Sequence, residues 1–455
     1  VKRYTTTGMA TDQGKTSSLN ALAIVAETLS KSLPEVGQTT FRMPVTPVSF
    51  GALAGRGREE LLEPVRTTPL HAEAVARGAV FEDVGAWKRA RYFPMTYPDG
   101  RREDMAVAVT RECRITRASV GMLDASTLGK IEIKGPDAAE FLDRMYTNTF
   151  STLKVGRARY GLMLREDGIV FDDGTTSRLA EDHFFVTTTT VNAAKVMQHI
   201  DYARQVLWPE LDVQATSVTE HWATYAVAGP QSRQLLQQLL PDADLSNEAF
   251  PYMAAMELRW QGVPARLYRL SFSGELAYEL SVPATHGDRL VRALHALGST
   301  PYGTEALGVM RIEKGHPAGN ELNGQTTAAD LGMGRMMSKK KDYIGRVMAA
   351  RPALVDPARP QLVGIRPVEP GKRLRAGGHL VAKGAAPVAA NDAGHVTSVA
   401  FSPTLGHWIG LALLARGPER HGERIIVHDP VRDGDTEVEV CAPVFIDPEG
   451  VRVRG

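Results

Sequence analysis

One local pattern, a short strand followed by Gly-Pro and a helix, occurs twice in this chain and constrains its fold more than any other feature. In the first copy, Lys130-Ile-Glu-Ile-Lys134 precedes Gly135-Pro136 and a helical stretch. In the second copy, Thr224-Tyr-Ala-Val-Ala228 precedes Gly229-Pro230 and the helical stretch 231–240. Proline is favoured in the first turn of a helix, so both dipeptides mark a helix start. The repetition predicts two related halves of the α+β class.

Residues 1–65 differ in composition from the rest and are interpreted as a leader and connector. The chain begins at Val1 in a polar stretch, so we expect it to be part of a longer protein. Residues 19–33 place apolar side chains at helical spacing, which predicts one amphipathic helix. Residues 34–69 are rich in proline and glycine and favour an extended connector.

Two further segments are expected to fold as domains. Residues 66–350 alternate short apolar strands with helices, so we expect them to hold the two related halves. A proline-rich break follows at 352–360. Beyond it, strand-like runs separated by glycines and Asp-Pro turns predict a small β-barrel over residues 361–455.

Charge and cysteine content exclude several classes of protein. The chain has 53 Lys and Arg against 52 Asp and Glu, so no overall field attracts nucleic acid or an anionic membrane. It shows neither a signal-peptide pattern nor an apolar run of about 18 residues that could span a membrane. Cys113 and Cys441 stand alone, so neither a disulfide framework nor a metal site is expected, and a reducing cytoplasm fits best.

The segment from Tyr160 to Asp173 is the most informative one for function. A Glu-Asp-Gly turn joins two strand-like runs, and the second run ends in Asp172 and Asp173. Adjacent side chains of a strand point to opposite faces, so we expect one carboxylate to be solvated and the other directed inward. An inward carboxylate needs a partner and is a candidate for ligand binding or proton transfer. A turn-capping aspartate is the alternative.

From Thr67 onward the chain resembles the aminomethyltransferase, or glycine-cleavage T-protein, family. The matching segments are 67–71, 168–173, 229–230, 272–279 and 311–315. More narrowly, three segments are similar to the family of alpha subunits of heterotetrameric sarcosine oxidase, and these are 2–15, 47–56 and 402–407.

The resemblance implies a three-lobed α+β fold around a central hole that holds tetrahydrofolate, with a C-terminal β-barrel. Asp173 matches the family aspartate close to the folate nitrogens, which implies a catalytic role in stabilising positive charge. Glu279 matches the glutamate that accepts hydrogen bonds from pterin N–H groups. Tyr160 matches an aromatic residue that packs on the ring, and Phe272 is a fourth implied folate contact.

The chain departs from the family pattern at two positions of the implied folate pocket. Phe272 stands where many T-proteins have tyrosine, and Leu307 stands where they have an arginine. Leucine cannot pair with a folate carboxylate, so other groups must hold the tail or leave it in solvent. Arg335 and the run Lys339–Lys341 are candidates for that contact, and a solvated turn is the alternative for the lysine run.

The narrower resemblance implies a division of labour within a heterotetramer. A beta subunit carries FAD and FMN and oxidises sarcosine to glycine and hydrogen peroxide, and smaller subunits complete the complex. The present chain accepts the one-carbon unit and yields 5,10-methylenetetrahydrofolate, while an NAD-binding half precedes it in the longer subunit. Two alternatives remain: an independent aminomethyltransferase or demethylase, and a non-catalytic assembly subunit whose pocket has decayed, for which Leu307 is the support.

Overall fold

The protein divides into two compact units, residues 1–66 and 67–455. The computed structural model describes residues 1–9, 13–37, 48–58, 61–432 and 434–455. Within those ranges no helix is long and apolar enough to cross a membrane. The predicted domain bounds 1–65, 66–350 and 361–455 stay a prediction.

The first unit contains short helices among its described residues. Its helices are α1 Lys2–Thr5, α2 Ser18–Leu29, α3 Leu33–Val36 and α4 Phe50–Ala54. The predicted helix 19–33 therefore forms as α2 but ends earlier, because Ser30 adopts a left-handed conformation with φ 51°. The predicted connector 34–69 contains α4 and most of α3, and its residues 38–47 and 59–60 lie outside the described ones.

The second unit opens with a helix, a β-hairpin, a long helix and one strand. These are α5 His71–Ala76, β1 Val80–Val84, β2 Trp87–Tyr92, α6 Met105–Ala118 and β3 Gly121–Asp124. Asp104 caps α6 by accepting a hydrogen bond from the amide of Ala106 at 2.8 Å.

The first half of the repeat forms a five-stranded sheet with two helices. In chain order its elements are β4 Gly129–Lys134, α7 Ala138–Met145, β5 Arg157–Leu164, β6 Val170–Ala180, β7 His183–Thr188, α8 Ala193–Tyr202 and β8 Gln214–Ser217. The strand order is β5-β6-β7-β4-β8. Both helices cover one face of this sheet, where Ile131, Ile133 and Val186 pack against Phe141 and Ile200.

The second half repeats this path. Its elements are β9 Trp222–Ala228, α9 Ser232–Leu239, β10 Ala255–Trp260, β11 Val263–Tyr268, β12 Ala277–Pro283, α10 Gly287–Ala296, β13 Thr300–Pro301 and α11 Thr304–Lys314. The sheet order β10-β11-β12-β9 matches β5-β6-β7-β4, and β3 and β13 complete six strands. The two halves therefore share one chain path and one order of four strands.

A glycine with positive φ joins strand to helix in both halves. Gly135 has φ 133° and Gly229 has φ 125°. A Cβ atom at Gly135 would overlap the carbonyl oxygen of Asp212, and one at Gly229 would overlap that of Ser119. Both turns therefore need glycine for its backbone conformation and for close approach of the chain.

The C-terminal residues form the predicted barrel. After α12 Arg346–Ala349 and α13 Pro352–Val355, the elements are β14 Pro360–Pro367, β15 His379–Ala382, β16 Asp392–Ser402, β17 His407–Ala415, β18 Arg424–Asp429, β19 Gly434–Cys441 and α14 Val451–Arg454. Six strands close in the order β14-β17-β16-β15-β18-β19. A buried ion pair, Arg311 to Glu321 at 2.9 Å, also bonds to Ser398 and so ties α11 to the barrel.

The inner faces of the two sheets position the candidate site. At one end they meet through Phe185 and Tyr268, whose rings stack with centroids 5.6 Å apart. Towards the other end, Tyr160 and Leu162 of the first sheet pack in one apolar cluster with Leu331, which lies in the segment between α11 and α12. The middle of β6, between these two contacts, carries polar side chains.

Candidate functional site

Tyr160 and Asp173 lie together on the inner face of the first sheet, on neighbouring strands β5 and β6. The Tyr160 hydroxyl donates a 2.8 Å hydrogen bond to Oδ2 of Asp173. The other oxygen of Asp173 is buried and has no hydrogen-bond partner in the described part of the chain. Burial raises the pKa of Asp173, and the bond from Tyr160 opposes this. A buried acceptor without a partner is rare and is the first sign of a ligand site.

Asp172 points to the opposite face and has a different role. Its carboxylate accepts hydrogen bonds from the hydroxyl of Thr189 at 2.6 Å and the amide of Asn192 at 3.0 Å. Only 4% of Asp172 is exposed, so the expectation that one of the two aspartates is solvated is wrong. Burial raises its pKa to about 7 in spite of these bonds. Asp172 anchors β6 to the start of α8.

Asn148 is a neighbour of Tyr160 that sequence reasoning missed. Its amide nitrogen donates to the backbone carbonyl of Tyr160 at 2.7 Å. Its side-chain oxygen is buried without a partner among the described residues. The sulfur of Met333 lies 4.0 Å from the Tyr160 hydroxyl and closes the other side. No spacing rule connects Asn148 to β5, so only its place in the fold identifies it.

Glu279 lies on β12, on the inner face of the second sheet. It is paired across strands with Tyr268 and Ala226. None of the described residues donates a hydrogen bond to its carboxylate, and burial raises its pKa to about 7. The Lys130 cation opposes that rise. Glu279 is thus a second inner carboxylate with free acceptor capacity.

Lys130 lies on the inner face of the first sheet. Thr187 and Thr175 are its polar neighbours on that face. Lys130 pairs with Thr187 on β7, and Thr187 shares a 2.8 Å hydrogen bond with Thr175 on β6. The side chain is 1% exposed. Burial lowers the pKa of Lys130 to about 8, while the charges of Asp124 and Glu279 raise it. Strand alternation alone could not single out Lys130, because an inner polar face and a solvated one have the same pattern.

Phe272 lies on the loop before β12 and its described ring contact is with His316, not with Tyr160. The two rings stack with centroids 5.4 Å apart, and 41% of Phe272 is exposed. The His316 ring nitrogen Nδ1 also lies 3.0 Å from the Phe272 carbonyl oxygen. The structure thus joins Tyr160 to Asp173 but leaves Phe272 in a separate aromatic pair.

Leu307 packs against the apolar cluster that α11 shares with the barrel. Its apolar side chain therefore has a packing role at this position. Lys341 donates hydrogen bonds to the carbonyls of Asp143 and Tyr146 at the end of α7. Arg335, Lys339 and Lys340 are exposed, and these three stay the candidates for contact with an anionic ligand tail.

Two carboxylates on facing sheets, each with unused acceptor capacity, suit a ligand that presents N–H groups and an amine. Asp173 and Glu279 meet that description, and the free oxygen of Asn148 adds an acceptor beside Tyr160. Carboxylates accept such bonds strongly because they are charged. The reduced pterin of a folate has this chemistry, so the residues present fit the ligand that the resemblance implies.

Comparison with known proteins supports the same family. The chain matches the family models for the GCVT N-terminal domain over residues 70–341, the sarcosine oxidase A3 domain over 1–56 and the glycine cleavage T-protein C-terminal barrel domain over 361–447. An aminomethyltransferase of Streptomyces coelicolor is 34% identical over 76% of this chain and 89% of that protein. The crystal structure of aminomethyltransferase T from Bartonella henselae, 24% identical, superposes with a TM-score of 0.71 over 84% of this chain and 99% of its own, which confirms the fold.

The sarcosine oxidase subunit alpha of Rhizobium meliloti is 50% identical over all of this chain. The match covers 46% of that relative, so the chain spans about half the length of the curated subunits it resembles. The similarity therefore extends through both units of the chain.

Proposed function

Since the chain belongs to the glycine cleavage T-protein family and matches sarcosine oxidase subunit alpha along its whole length, we propose that it binds tetrahydrofolate between its two sheets. There it accepts the one-carbon unit released when sarcosine is oxidised. The observation that carries the proposal is the buried Asp173 oxygen without a hydrogen-bond partner, on the sheet that faces Glu279.

In this proposal Glu279 recognises the pterin. Its carboxylate is ionised above its pKa of about 7 and then accepts hydrogen bonds from pterin N–H groups. Because no described residue donates to it, a ligand displaces no protein hydrogen bond there. Phe272 on the neighbouring loop and the exposed Arg335, Lys339 and Lys340 are available to the outer part of the folate.

Asp173 acts on the nitrogen that receives the carbon. The Tyr160 hydroxyl fixes one oxygen at 2.8 Å, which leaves the other oxygen directed to the ligand. Burial raises the pKa of Asp173, so it holds a proton more readily than a solvated aspartate does. A base of this kind takes the proton from the folate amine as the carbon bond forms, and its charge stabilises the cationic transition state.

The whole subunit would work beside a flavin-bearing beta subunit and smaller subunits, with an NAD-binding half preceding this chain. Sarcosine, oxygen and tetrahydrofolate would give glycine, hydrogen peroxide and 5,10-methylenetetrahydrofolate. The FAD and FMN of the beta subunit would carry out the oxidation, and this chain would hold the acceptor. An acceptor held in an enclosed site has a high effective concentration, which limits loss of the reactive carbon to water. We place this reaction in the cytoplasm.

Calorimetric titration of tetrahydrofolate under anaerobic, reducing conditions tests the proposal. We expect saturable binding by the parent chain and a loss of about 30-fold or more in Glu279→Gln, because a hydrogen bond to a charged group contributes about 2 kcal/mol. Asp173→Asn should keep the affinity within about threefold and slow carbon transfer about 100-fold in the reconstituted enzyme. Exposed Glu248 and Asp242 provide the matched controls Glu248→Gln and Asp242→Asn. A folded parent that shows no saturable binding would contradict the proposal.

A further inference from the structure

The loop before β12, residues 271–275, carries Phe272 and is fixed by bonds within itself. The Ser271 hydroxyl donates a 2.6 Å hydrogen bond to the backbone carbonyl of Glu275. The Ser273 hydroxyl accepts one from the backbone amide of Glu275 at 3.4 Å. The two serines that flank Phe272 are thus both bonded to Glu275, so the position of Glu275 determines the course of the loop.

A network of buried charges holds the Glu275 side chain. Its Oε1 accepts hydrogen bonds from Arg117 on α6 at 2.7 Å and from Arg452 on α14 at 2.6 Å. Arg117 also bonds to Glu313 on α11, with its Nε 3.1 Å from Oε2 of Glu313. The other oxygen of Glu313 accepts a 2.5 Å hydrogen bond from the hydroxyl of Ser402 at the end of β16. Three helices and the barrel are therefore joined to the loop through one set of polar contacts.

Stability alone does not explain why these charges are buried. The side chains of Arg117, Glu275 and Glu313 are at most 8% exposed. Ionised groups lose their hydration when they are buried, and the attraction between them often does no more than offset that loss. Their hydrogen bonds are strong and directional, however, so each group restricts the position of the next. The network therefore fits a role in placing the loop.

Phe272 is the residue that this placement affects most. Its ring is largely exposed, although the loop that carries it is held by buried bonds. The ring stacks on His316, whose Nδ1 donates to the Phe272 carbonyl oxygen at 3.0 Å because a carbonyl can only accept. An aromatic ring that is fixed before binding loses little conformational freedom when a ligand ring packs on it, which favours binding.

We propose that Glu275, held by Arg117 and Arg452, is a positioning residue for the folate site. It fixes the loop that presents Phe272 to the aminobenzoyl ring of the bound folate. The inference rests on the proposed function and adds to it residues to which the family resemblance above assigns no role. Glu275 acts only through Phe272, whereas Glu279 recognises the pterin separately.

A double-mutant cycle tests whether Glu275 acts through Phe272. Calorimetry under anaerobic, reducing conditions measures the dissociation constant of tetrahydrofolate for the full chain, Phe272→Ala, Glu275→Gln and the double variant. We expect Phe272→Ala to bind about 10-fold more weakly than the parent. Glu275→Gln should bind about 5-fold more weakly. The double variant should bind as Phe272→Ala does, because the loop then has no ring to place.

A second ligand separates positioning from a general loss of structure. Methyltetrahydropterin keeps the pterin of the folate and lacks the aminobenzoyl ring. Glu275→Gln should leave its dissociation constant within about twofold of the parent value, because Glu279 still binds the pterin. Glu103 is a buried glutamate of another ion pair, with Arg111 at 2.7 Å, and provides the matched control Glu103→Gln. This control should bind both ligands as the parent does.

Ser271→Ala tests the same inference if circular dichroism shows that Glu275→Gln does not fold. It removes the hydroxyl bond to the Glu275 carbonyl and leaves the network of charges in place. We expect it to weaken tetrahydrofolate binding about 3-fold and to leave methyltetrahydropterin binding unchanged.

The outcomes that overturn the inference differ from those that overturn the proposed function. A parent that binds tetrahydrofolate, with Glu275→Gln or Phe272→Ala of unchanged affinity, overturns the inference and leaves the folate site standing. The same holds if Glu275→Gln weakens both ligands equally, or weakens tetrahydrofolate equally with and without Phe272, because either result indicates a purely structural role. A folded parent that binds no tetrahydrofolate overturns the proposed function and the inference with it.

Discussion

The five-stranded and the six-stranded sheet follow the same chain path but differ in what their inner faces carry. The first has a polar row with Tyr160, Asp173 and Lys130. The second presents Glu279 between Tyr268 and Ala226. A repeated backbone therefore does not repeat the chemistry. A site between two such sheets can take a carboxylate from each and keep the two apart.

The largest expected effect comes from the glycines at the strand-to-helix turns. Substituting them tests whether both halves need glycine at this turn. Gly135→Ala and Gly229→Ala should each lower the free energy of unfolding by about 3 kcal/mol or more, because each combines positive φ with overlap on a carbonyl oxygen. Gly262 has φ 81° and no atom within 4 Å of a built Cβ, so Gly262→Ala should lower it by only about 1 kcal/mol. Urea denaturation measures all three. If Gly229→Ala lost no more free energy of unfolding than Gly262→Ala, the turn of the second half would not need glycine as the turn of the first half does.

The adjacent aspartates of β6 provide an intermediate test of the first half. Asp172→Ala removes the acceptor of the Thr189 hydroxyl and backbone amide and one of the two acceptors of the Asn192 amide, so we expect a loss of about 2 to 3 kcal/mol. Asp173→Ala loses one bond from Tyr160 and removes a buried carboxylate, so its free energy of unfolding should change by less than about 1 kcal/mol. Thermal or urea unfolding of both variants measures the two losses in the free energy of unfolding. Equal losses would show that Asp173 is as structural as Asp172.

The smallest expected effect is a pH dependence in the second half. The folded pKa of Glu279, about 7, lies above its ordinary value of 4.5. Its protonated form is therefore favoured by folding, and this stabilisation is full below about pH 4.5 and is lost as pH rises through about 7. Glu279→Gln should remove that slope, which we expect to be at most about 1 kcal/mol because the group is partly exposed.

Unfolding of the parent, of Glu279→Gln and of the exposed control Glu248→Gln from about pH 5 to about pH 8 measures this slope. The control should follow the parent. Asp172, with a pKa also raised to about 7, gives a slope of the same sign in the first half. A Glu279→Gln variant with the parent's slope would mean that Glu279 is ionised throughout this range.

Much of the fold could be predicted because it depends on local chemistry. The strand 130–134, the hairpin around Gly168 and the closed barrel all form as their turn residues indicate. The end of α2 could not be predicted, because a left-handed Ser30 has no strong sequence signal. The pairing of Tyr160 with Asp173 is within the predicted set, whereas Phe272 stacks on His316 instead.

The sequence by itself determined the repeated strand–Gly-Pro–helix pattern, the turns that need glycine and the set of carboxylates from which the site is built. Only the tertiary structure decided which polar faces are buried. The pattern of β4 does not distinguish a buried Lys130 from an exposed one, because a strand alternates in the same way whether its polar face meets water or another sheet. Packing of the two sheets removes that water, and this makes Asp173, Glu279 and Lys130 a candidate site.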